Sequence, residues 1–301
     1  MIENYIKKQV DFTFKESSGH YKASKSDVYI NESNRIIKGN PLLKWPGGKR
    51  NLLKHLLPLV PEKYNNYYEP FLGGGALFFA MQPRNSKLSD VNPELTNCYQ
   101  QVRDHPQAII EALAAMENSE DEYYRIRAEN VDDPLARAVH FIYLTTLSFN
   151  GIYRLNLKGE FNVPYGKKTH LMPCDPVKIT ETSNALQNNE INLIDFEDAV
   201  QDARAGDLVY FDPPYTTSEK NNSFLKYNSK VFSWEDQIRL SNLVKRLSSR
   251  GCKVIISNTH HPSILELYKD FSMLRIERNS IIAASTEHRK QITECIFFNG
   301  V

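Results

Sequence analysis

A short apolar run that ends in two consecutive prolines constrains the fold of this chain more than any other feature. The run LVYF (208–211) has the composition of a buried strand, and DPPY (212–215) follows it directly. Because neither proline can donate a hydrogen bond to a sheet, the strand must stop there. In open α/β sheets, ligands bind at the carboxyl ends of the strands. We therefore expect the carboxylate of Asp212 and the ring of Tyr215 to border a binding site.

The Pro-Pro turn also indicates a chemistry. A rigid turn holds the carbonyl oxygen of Pro213 beside the carboxylate of Asp212, which places two hydrogen-bond acceptors at a set spacing. Two acceptors directed at an aromatic amine would draw the nitrogen lone pair out of conjugation and make the nitrogen nucleophilic. Tyr215 offers a face on which a base can stack. A strand-ending turn with an Asp present by chance is the alternative for this tetrapeptide alone.

A second motif is the glycine turn EPFLGGG (69–75), which follows a predicted short strand. Glycines let the backbone approach a ligand closely, and Asp90, at the end of the next predicted strand, could accept hydrogen bonds from both hydroxyls of a ribose. Phe78 stands where the dinucleotide pattern GxGxxG has its third glycine. The motif therefore favours a nucleoside cofactor without a diphosphate, although a glycine turn before an acid also occurs without any cofactor.

The third motif is the loop KWPGGK (44–49), which is not a P-loop because GxxxxGK[ST] is absent. Its two glycines could bring backbone N–H groups near a ligand carboxylate. A structural loop that packs Trp45 accounts for the hexapeptide equally well.

The chain alternates between predicted strands and helices, which is typical of an α/β sheet. Residues 1–40 are polar and weakly periodic, and we interpret them as an N-terminal extension. Residues 41–92 and 185–301 contain the three motifs and are predicted to form the two parts of one α/β domain. Residues 93–184 interrupt that domain, and are predicted to be mostly helical with a hairpin turn at Lys158-Gly159.

Two further patterns predict secondary structure. The segment 41–60 predicts a glycine turn followed by one amphipathic helix, because leucines recur there at helical spacing. The runs FSMLRIER (271–278) and RKQITECIFFN (289–299) predict a terminal antiparallel strand pair.

Composition excludes several classes of protein. The net charge of +1 neither demands nor excludes binding to nucleic acid. The chain has no apolar run long enough to span a membrane, and its N-terminus lacks the apolar stretch of a signal peptide. Its four cysteines lie far apart without a CxxC pair, which argues against a zinc site or a disulfide scaffold. We expect a reduced, cytoplasmic protein without a metal.

In combination, these motifs resemble a known family. The order KWPGGK, EPFLGGG with a following strand-end acid, and DPPY is similar to that of the Dam family of site-specific DNA adenine methyltransferases, the D12 class of the alpha group. The segments FNGIYR (149–154) and GEFNVPYG (159–166) resemble the target-recognition segment of that family. The resemblance runs from about 41 to 299. It implies a Rossmann-like methyltransferase sheet with helices on both faces, plus an inserted, mostly helical target-recognition domain with a hairpin.

The resemblance also implies an activity and its residues. It implies transfer of a methyl group from S-adenosylmethionine, without a metal, to the N6 amine of an adenine flipped out of double-stranded DNA. The adenine amine would be held by Asp212, Pro213 and Tyr215. The cofactor pocket would be lined by Trp45, Gly48, Lys49, Phe71, Gly73, Asp90 and Asp212, with Asp195 and Phe196 reading the adenine of the cofactor. Base edges would be read by Lys44, Ile152, Arg154 and Pro164, the space of the flipped base filled by Phe149 and Asn150, and phosphates contacted by Arg127, Asn156 and Asn162.

The sequence specificity that the resemblance implies is GATC. The planar fork of Arg154 suits the O6/N7 edge of a guanine, and the apolar Ile152 and Pro164 suit a thymine methyl group. The alternative is that Arg154 only neutralises a phosphate. The chain departs from the family at Phe149, where a Tyr is expected, and at Lys168, where an aromatic residue is expected.

Other chemistries compete with this interpretation. Methylation of a cytosine ring needs a Cys nucleophile, and Cys174 lies in a polar loop of the insertion rather than at a strand end. A zinc deaminase needs a Cys pair that is absent. A DNA-binding protein with a decayed active site, and a methyltransferase acting on an amide or an RNA base, remain as alternatives. We expect double-stranded DNA as the partner of a monomer or weak dimer without an obligate protein partner, associated with the nucleoid through DNA.

Overall fold

The computed structural model describes residues 29–30, 36–37, 39–156, 158–218, 232–279 and 291–300. Strands β1 (Tyr29–Ile30) and β2 (Ile36–Ile37) pair antiparallel with each other and with no other described strand. Most of the predicted N-terminal extension lies outside the described residues, so its assignment as an extension stays a prediction.

From residue 39 onward, the described chain contains both helices and strands, with five consecutive α-helices between the fourth and the fifth strand. The first half of the elements is α1 (Leu53–Leu56), β3 (Tyr67–Glu69), α2 (Ala76–Met81), β4 (Ser86–Asp90), α3 (Pro93–Asp104), α4 (Pro106–Ala114), α5 (Glu120–Ala128) and α6 (Pro134–Leu147). The second half is α7 (Pro176–Leu186), β5 (Glu190–Leu193), β6 (Leu208–Phe211), α8 (Trp234–Ser249), β7 (Lys253–Thr259), α9 (Pro262–Leu267), β8 (Ser272–Asn279) and β9 (Gln291–Phe298). Among these helices, none combines the length and the apolar character that crossing a membrane requires.

Strands β3 to β9 form one sheet in the order β5-β4-β3-β6-β7-β9-β8. Strands β3 to β7 run parallel, whereas β9 pairs antiparallel with both β7 and β8, as the terminal strand pair predicted. The chain leaves β3 for β4 on one side and later returns to β6 on the other side. The crevice at the carboxyl ends of β3 and β6 is therefore the topological switch point, where open α/β sheets bind ligands.

Helices cover both faces of this sheet. Successive residues of a strand point to opposite faces of the sheet, and the residues of the buried strand β6 alternate between two apolar cores. Leu208 and Tyr210 belong to one apolar core, together with residues of α1, α2 and α3. Val209 and Phe211 belong to a second core, together with residues of α8 and α9. The prediction of an α/β sheet with helices on both faces is confirmed.

Helices α3 to α7 are inserted between β4 and β5. Helix α3 packs on both of these strands, while α6 and α7 pack on α3. The first core therefore continues from the sheet into the insertion without interruption. The predicted turn is present at Gly159, which has a φ of +83°, and Leu155 pairs with Phe161 across it. The predicted domain boundaries and the recognition role of 93–184 stay predictions.

The segment after the KWPGGK loop differs from its prediction. Instead of one amphipathic helix, the chain forms a 3-10 turn (Arg50–Leu52), the short helix α1 and a second 3-10 turn (Leu57–Leu59). Pro58 lies in the second turn and has no N–H to donate to an α-helical bond, so the helix ends there. Leu53 and Leu56 are still buried, as the leucine spacing predicted.

Candidate functional site

The loop KWPGGK and the turn DPPY meet at an ion pair. Strand β6 ends at Phe211, and the Nζ of Lys49 lies 2.8 Å from Oδ1 of Asp212, the next residue. The side chain of Lys49 is only 6% exposed, and its ammonium also donates a hydrogen bond to the carbonyl oxygen of Gly47 at 2.6 Å. The same ammonium lies 4.6 Å from the ring centroid of Tyr215, a cation–π distance. Three predicted site residues are thus in direct contact.

Burial and the neighbouring cation act in opposite directions on Asp212. Burial raises the pKa of its carboxyl group to about 6, and the charge of Lys49 limits this rise. The negative charge of Glu294, on β9, adds a smaller upward contribution. Asp212 is therefore ionised at neutral pH, but it is a stronger base than an Asp exposed to water.

A second acidic group lies at the end of the neighbouring strand β3. Glu69 is buried, and the hydroxyl of Tyr67 donates a hydrogen bond to its Oε2 at 2.7 Å. Burial raises the pKa of Glu69 to about 8, the hydrogen bond from Tyr67 opposes the rise, and the charge of Asp212 adds to it. Glu69 consequently keeps its proton at neutral pH. Glu69 was not among the site residues predicted from the sequence, although an acid at a strand end before a glycine turn was a visible signal.

Asp90 ties the glycine turn to the end of β4. The backbone N–H of Gly73 donates to Oδ2 of Asp90, and that of Asn92 donates to Oδ1, both at 3.0 Å. Burial raises the pKa of Asp90, and these backbone donors oppose the rise. The hydroxyl of Tyr99 donates to the carbonyl oxygen of Gly73 at 3.2 Å. The turn and the strand-end acid are thus held together as one unit.

The close approach that the glycines permit is made by Trp45. A Cβ atom on Gly73, whose φ is +47°, would lie 2.9 Å from Cδ1 of Trp45, and one on Gly74 would lie 3.1 Å from its Cβ. On its other side Trp45 stacks on Tyr153, with ring centroids 5.1 Å apart. The N–H of Gly48 closes the turn of the same loop by donating to the carbonyl oxygen of Trp45 at 3.1 Å. One loop thus positions both Trp45 against the glycine turn and Lys49 against Asp212.

Four phenylalanines line the carboxyl ends of β3 and β6. Phe71 stacks on Phe196 with centroids 5.3 Å apart and meets Phe211 and Phe232 edge-on. Arg239, on helix α8, covers the other side of this group, with its guanidinium carbon 4.3 Å from the ring centroid of Phe196.

Arg239 also binds the residue before Phe196. Its Nη2 donates to Oδ2 of Asp195 at 2.6 Å. Asp195 and Phe196 therefore lie beside Phe71, which sequence analysis assigned to the same ligand. Arg239 itself was not predicted, because no feature of α8 in the sequence distinguishes it from an ordinary exposed Arg.

The segment FNGIYR lies beside the KWPGGK loop. Asn150 and Gly151 have φ values of +56° and +64°, and a Cβ on Gly151 would lie 3.0 Å from Cδ of Lys44. The N–H of Phe149 donates to the carbonyl oxygen of Pro164 at 2.9 Å. The structure thus brings together Lys44, Phe149, Asn150 and Pro164. Phe149 is a large apolar residue that is 52% exposed, and its contact with DNA stays a prediction.

The remaining predicted DNA contacts lie on or beside the hairpin. Nε of the exposed Arg154 donates to Oδ1 of Asn162 at 2.9 Å. Oδ1 of Asn156 accepts a hydrogen bond from the backbone of Lys158, and Nη1 of Arg127 donates to the carbonyl oxygen of Val163 at 3.2 Å. These side chains stabilise the hairpin, and their contacts with phosphates or bases stay predictions.

Lys168 follows the segment GEFNVPYG (159–166) and lies beside the segment FNGIYR. Its Nζ donates to the carbonyl oxygen of Ser148 at 3.2 Å. Burial, followed by the charge of Lys44, lowers the pKa of Lys168. The side chain of Lys168, at the position where the family resemblance predicted an aromatic residue, therefore lies close enough to Lys44 to feel its charge.

Two competing chemistries would need either a nucleophilic Cys or a cluster of metal-ligating side chains. Cys174 is half-buried, its thiol donates to the carbonyl oxygen of Ile110 at 3.6 Å, and burial raises its pKa. A nucleophilic Cys needs a lowered pKa. Within the part of the chain that the structure describes, no group of three His, Cys, Asp or Glu side chains is arranged to hold a metal ion.

Comparison with known proteins gives a consistent result. The family of D12 class N6 adenine-specific DNA methyltransferases matches residues 45–282. The type II methyltransferase M1.LlaDCHI of Lactococcus lactis is 43% identical, over 87% of this chain and 96% of that protein. The type II methyltransferase M.MjaIII of Methanocaldococcus jannaschii is 34% identical over 86% and 98% of the two chains. A DNA adenine methylase of Haemophilus influenzae is 31% identical over 88% and 95%. The chain belongs to the D12 class of N6 adenine-specific DNA methyltransferases.

Proposed function

We propose that this enzyme uses S-adenosylmethionine as the methyl donor and acts on an adenine that is flipped out of double-stranded DNA, within the sequence GATC. One observation supports the chemistry above all others. The carboxylate of Asp212 lies at the switch point of the sheet, paired with Lys49 and next to the ring of Tyr215. A carboxylate in this position can accept a hydrogen bond from an exocyclic amine, and the ring of Tyr215 can stack on the base that carries the amine.

The residues around the glycine turn fit a nucleoside cofactor. The backbone N–H groups of Gly73 and Asn92 donate to the two oxygens of Asp90, and a carboxylate has about four acceptor positions. Asp90 can therefore accept ribose hydroxyls without releasing Gly73. The rings of Phe71 and Phe196 stack on each other and make the surroundings of the turn apolar, which suits the adenine of a nucleoside. When bound, S-adenosylmethionine supplies a methyl group on a positively charged sulfur, which is already activated for transfer.

Asp212 and Pro213 make the adenine amine reactive. The carboxylate of Asp212 and the carbonyl oxygen of Pro213 accept the two N6 hydrogens, and this draws the nitrogen lone pair out of the ring system. Tyr215 stacks on the base and holds its plane. Positioning of this kind is sufficient for an activated donor, so no covalent bond to the enzyme is needed.

Asp212 is also placed to accept the proton that leaves the methylated amine. Burial makes its carboxylate a better proton acceptor than one in water, because the pKa is about 6 rather than 3.8. Lys49 keeps the carboxylate ionised at neutral pH and thus ready to accept hydrogen bonds before the reaction. We assign residues 41–92 and 185–301 to this catalytic unit.

Residues 93–184 recognise DNA in this proposal. Ile152 and Arg154 are exposed on the segment that follows Gly151, and Lys44 lies against that glycine. Arg154 can present its fork to a guanine, and Ile152 can contact a thymine methyl group. The exposed Phe149 can occupy the gap that a flipped base leaves.

Two measurements test the proposal. The first follows transfer of a labelled methyl group from S-adenosylmethionine to a GATC duplex and to duplexes that differ from it by one base pair. The second maps N6-methyladenine by sequencing in a genome that lacks adenine methylation and has been treated with the enzyme. Methylation confined to GATC is expected. Equal rates on all duplexes would refute the specificity, and absence of transfer from this donor would refute the cofactor.

A further inference from the structure

Tyr153 differs in orientation from its two neighbours in the sequence, Ile152 and Arg154. Ile152 and Arg154 are exposed, whereas Tyr153 is half-buried. In an extended segment, successive side chains point to opposite sides. Tyr153 is therefore the side chain through which the segment is anchored, while its neighbours face outward.

The anchor of Tyr153 is a group of three aromatic rings, those of Trp45, Phe141 and Phe161. Its ring stacks on Trp45 with an interplanar angle of 21°, and it lies 5.2 Å from the ring of Phe141 on α6. Phe161, on the returning arm of the hairpin, lies 5.8 Å away on a further side. Tyr153 thus joins the hairpin, helix α6 and the KWPGGK loop.

Trp45 continues this line of contacts into the glycine turn. Its indole fills the space beside Gly73 and its Cβ lies beside Gly74, and the N–H of Gly73 donates to Asp90. Displacement of Trp45 toward the turn would bring it into collision with the backbone there. A ligand that fixes the turn and Asp90 therefore fixes Trp45, and Trp45 in turn fixes the ring of Tyr153.

We propose that Tyr153 is a positioning residue which, through Trp45, couples binding of the cofactor to binding of DNA. The inference rests on the proposed function, because it takes S-adenosylmethionine to bind at the glycine turn and DNA to bind at Ile152 and Arg154. When the turn is occupied, the orientations of Ile152 and Arg154 that suit DNA are favoured. Coupling between two binding sites is reciprocal, so DNA must strengthen cofactor binding by the same factor.

Calorimetry with S-adenosylhomocysteine tests the coupling without turnover. The dissociation constant is measured with and without a short duplex that carries the site assigned by sequencing. In the wild type we expect the duplex to strengthen binding at least about 5-fold, the lower end of typical coupling. Tyr153→Phe keeps the ring and should keep this factor, whereas Tyr153→Leu should reduce it to near one. Tyr64→Leu removes a half-buried Tyr outside this group and should leave the factor unchanged.

The fluorescence of Trp45 supplies a second measurement that needs no change at Tyr153. The chain has two tryptophans, so Trp234→Phe leaves Trp45 as the one tryptophan, and excitation that tyrosine does not absorb isolates its emission. Addition of the duplex alone should change the emission of Trp45, because Tyr153 stacks on it. This measurement applies even if Tyr153→Leu does not fold.

Two results would overturn the inference. They are a coupling factor in Tyr153→Leu equal to that of the wild type, and an emission of Trp45 that does not respond to a duplex that binds. Failure of the proposed function would look different. In that case the wild type would neither bind S-adenosylhomocysteine nor transfer a methyl group from S-adenosylmethionine to DNA.

Discussion

The ammonium of Lys49 lies 2.8 Å from the carboxylate of Asp212, and both groups are largely withdrawn from water. In such a pair each charge compensates the other, and removal of one partner leaves a buried charge without compensation. Lys49 therefore determines how much of Asp212 is ionised at a given pH. This dependence, together with the contacts of Glu69, Asp90 and Arg154, leads to five testable predictions.

Substitution of Asp212 should abolish turnover while leaving both ligands bound. Asp212→Ala removes one of the two acceptors for the adenine amine, and loss of a preorganised hydrogen-bonding group of this kind costs on the order of 100-fold or more in rate. Single-turnover methylation measures the rate, and calorimetry measures the affinities. Asp270→Ala, at an exposed Asp, is the control. Turnover of Asp212→Ala near that of the wild type would refute the mechanism.

Removal of Lys49 should shift the acid limb of the pH profile to higher pH. In the wild type we expect kcat/KM for DNA to fall as the pH falls below about 6, because Asp212 becomes protonated. Without the charge of Lys49 the pKa of Asp212 rises, so in Lys49→Met the midpoint of the fall moves upward. Lys245→Met, on the outer side of α8, should not move it. An unchanged midpoint in Lys49→Met would mean that the pair does not control the protonation of Asp212.

Glu69→Gln should alter the pH dependence of stability. The folded chain binds the proton of Glu69 with a pKa of about 8, against a usual value of 4.5. Between these two values the folded state carries a proton that the unfolded chain lacks. The free energy of unfolding of the wild type therefore falls as the pH rises, by up to about 1.4 kcal/mol per pH unit, and levels off above about pH 8.

In Glu69→Gln the contribution of Glu69 to this decline should be absent, so the variant gains stability relative to the wild type as the pH rises through this window. Urea denaturation from pH 5 to pH 9 measures the difference. Glu235→Gln makes the same change at an exposed position and serves as the control. Parallel curves for Glu69→Gln and the wild type would show that Glu69 is ionised in the folded protein.

Asp90→Ala should weaken binding of S-adenosylmethionine by about 1.5–3 kcal/mol, as expected for hydrogen bonds to a charged group. Asp90→Asn keeps one carbonyl oxygen that can accept from the backbone, so it should lose less. Calorimetry measures both affinities. Unchanged affinity in Asp90→Ala would mean that Asp90 only holds Gly73 and Asn92 in place.

Arg154→Ala should relax discrimination at one guanine by about 1–3 kcal/mol, because a bidentate contact to O6 and N7 is lost. Arg127→Ala should instead weaken binding to all sequences alike, since a phosphate contact carries no sequence information. Methylation rates on duplexes changed one base pair at a time distinguish the two effects. Uniform weakening in Arg154→Ala would assign this side chain to the phosphate backbone.

Local features of the sequence were sufficient for the main elements of the fold. The two prolines after LVYF end strand β6 whatever its position in the sheet, because proline itself lacks the N–H group that a sheet needs. The glycine turn, the strand ending at Asp90 and the terminal strand pair were likewise predictable from local pattern. Pro58 was a local signal too, and its effect on the predicted helix could have been anticipated.

The resemblance to the family added predicted roles for individual residues to these predicted elements of the fold. It grouped residues from distant parts of the chain, such as Trp45 and Asp90, which periodicity alone cannot bring together. The structure places several of these residues in contact. The motif could not predict that Trp45 packs into the space beside Gly73.

Only the tertiary structure decided how the acids of the site are charged. Glu69 and Asp212 are both strand-end carboxyl groups in the sequence, yet one keeps its proton at neutral pH and the other does not. The difference comes from burial and from the position of Lys49, which the chain delivers from a distant loop. Because desolvation and charge pairing depend on distances in space, the sequence by itself determined where the carboxyl groups stand, and the folded packing determined which of them carries a charge.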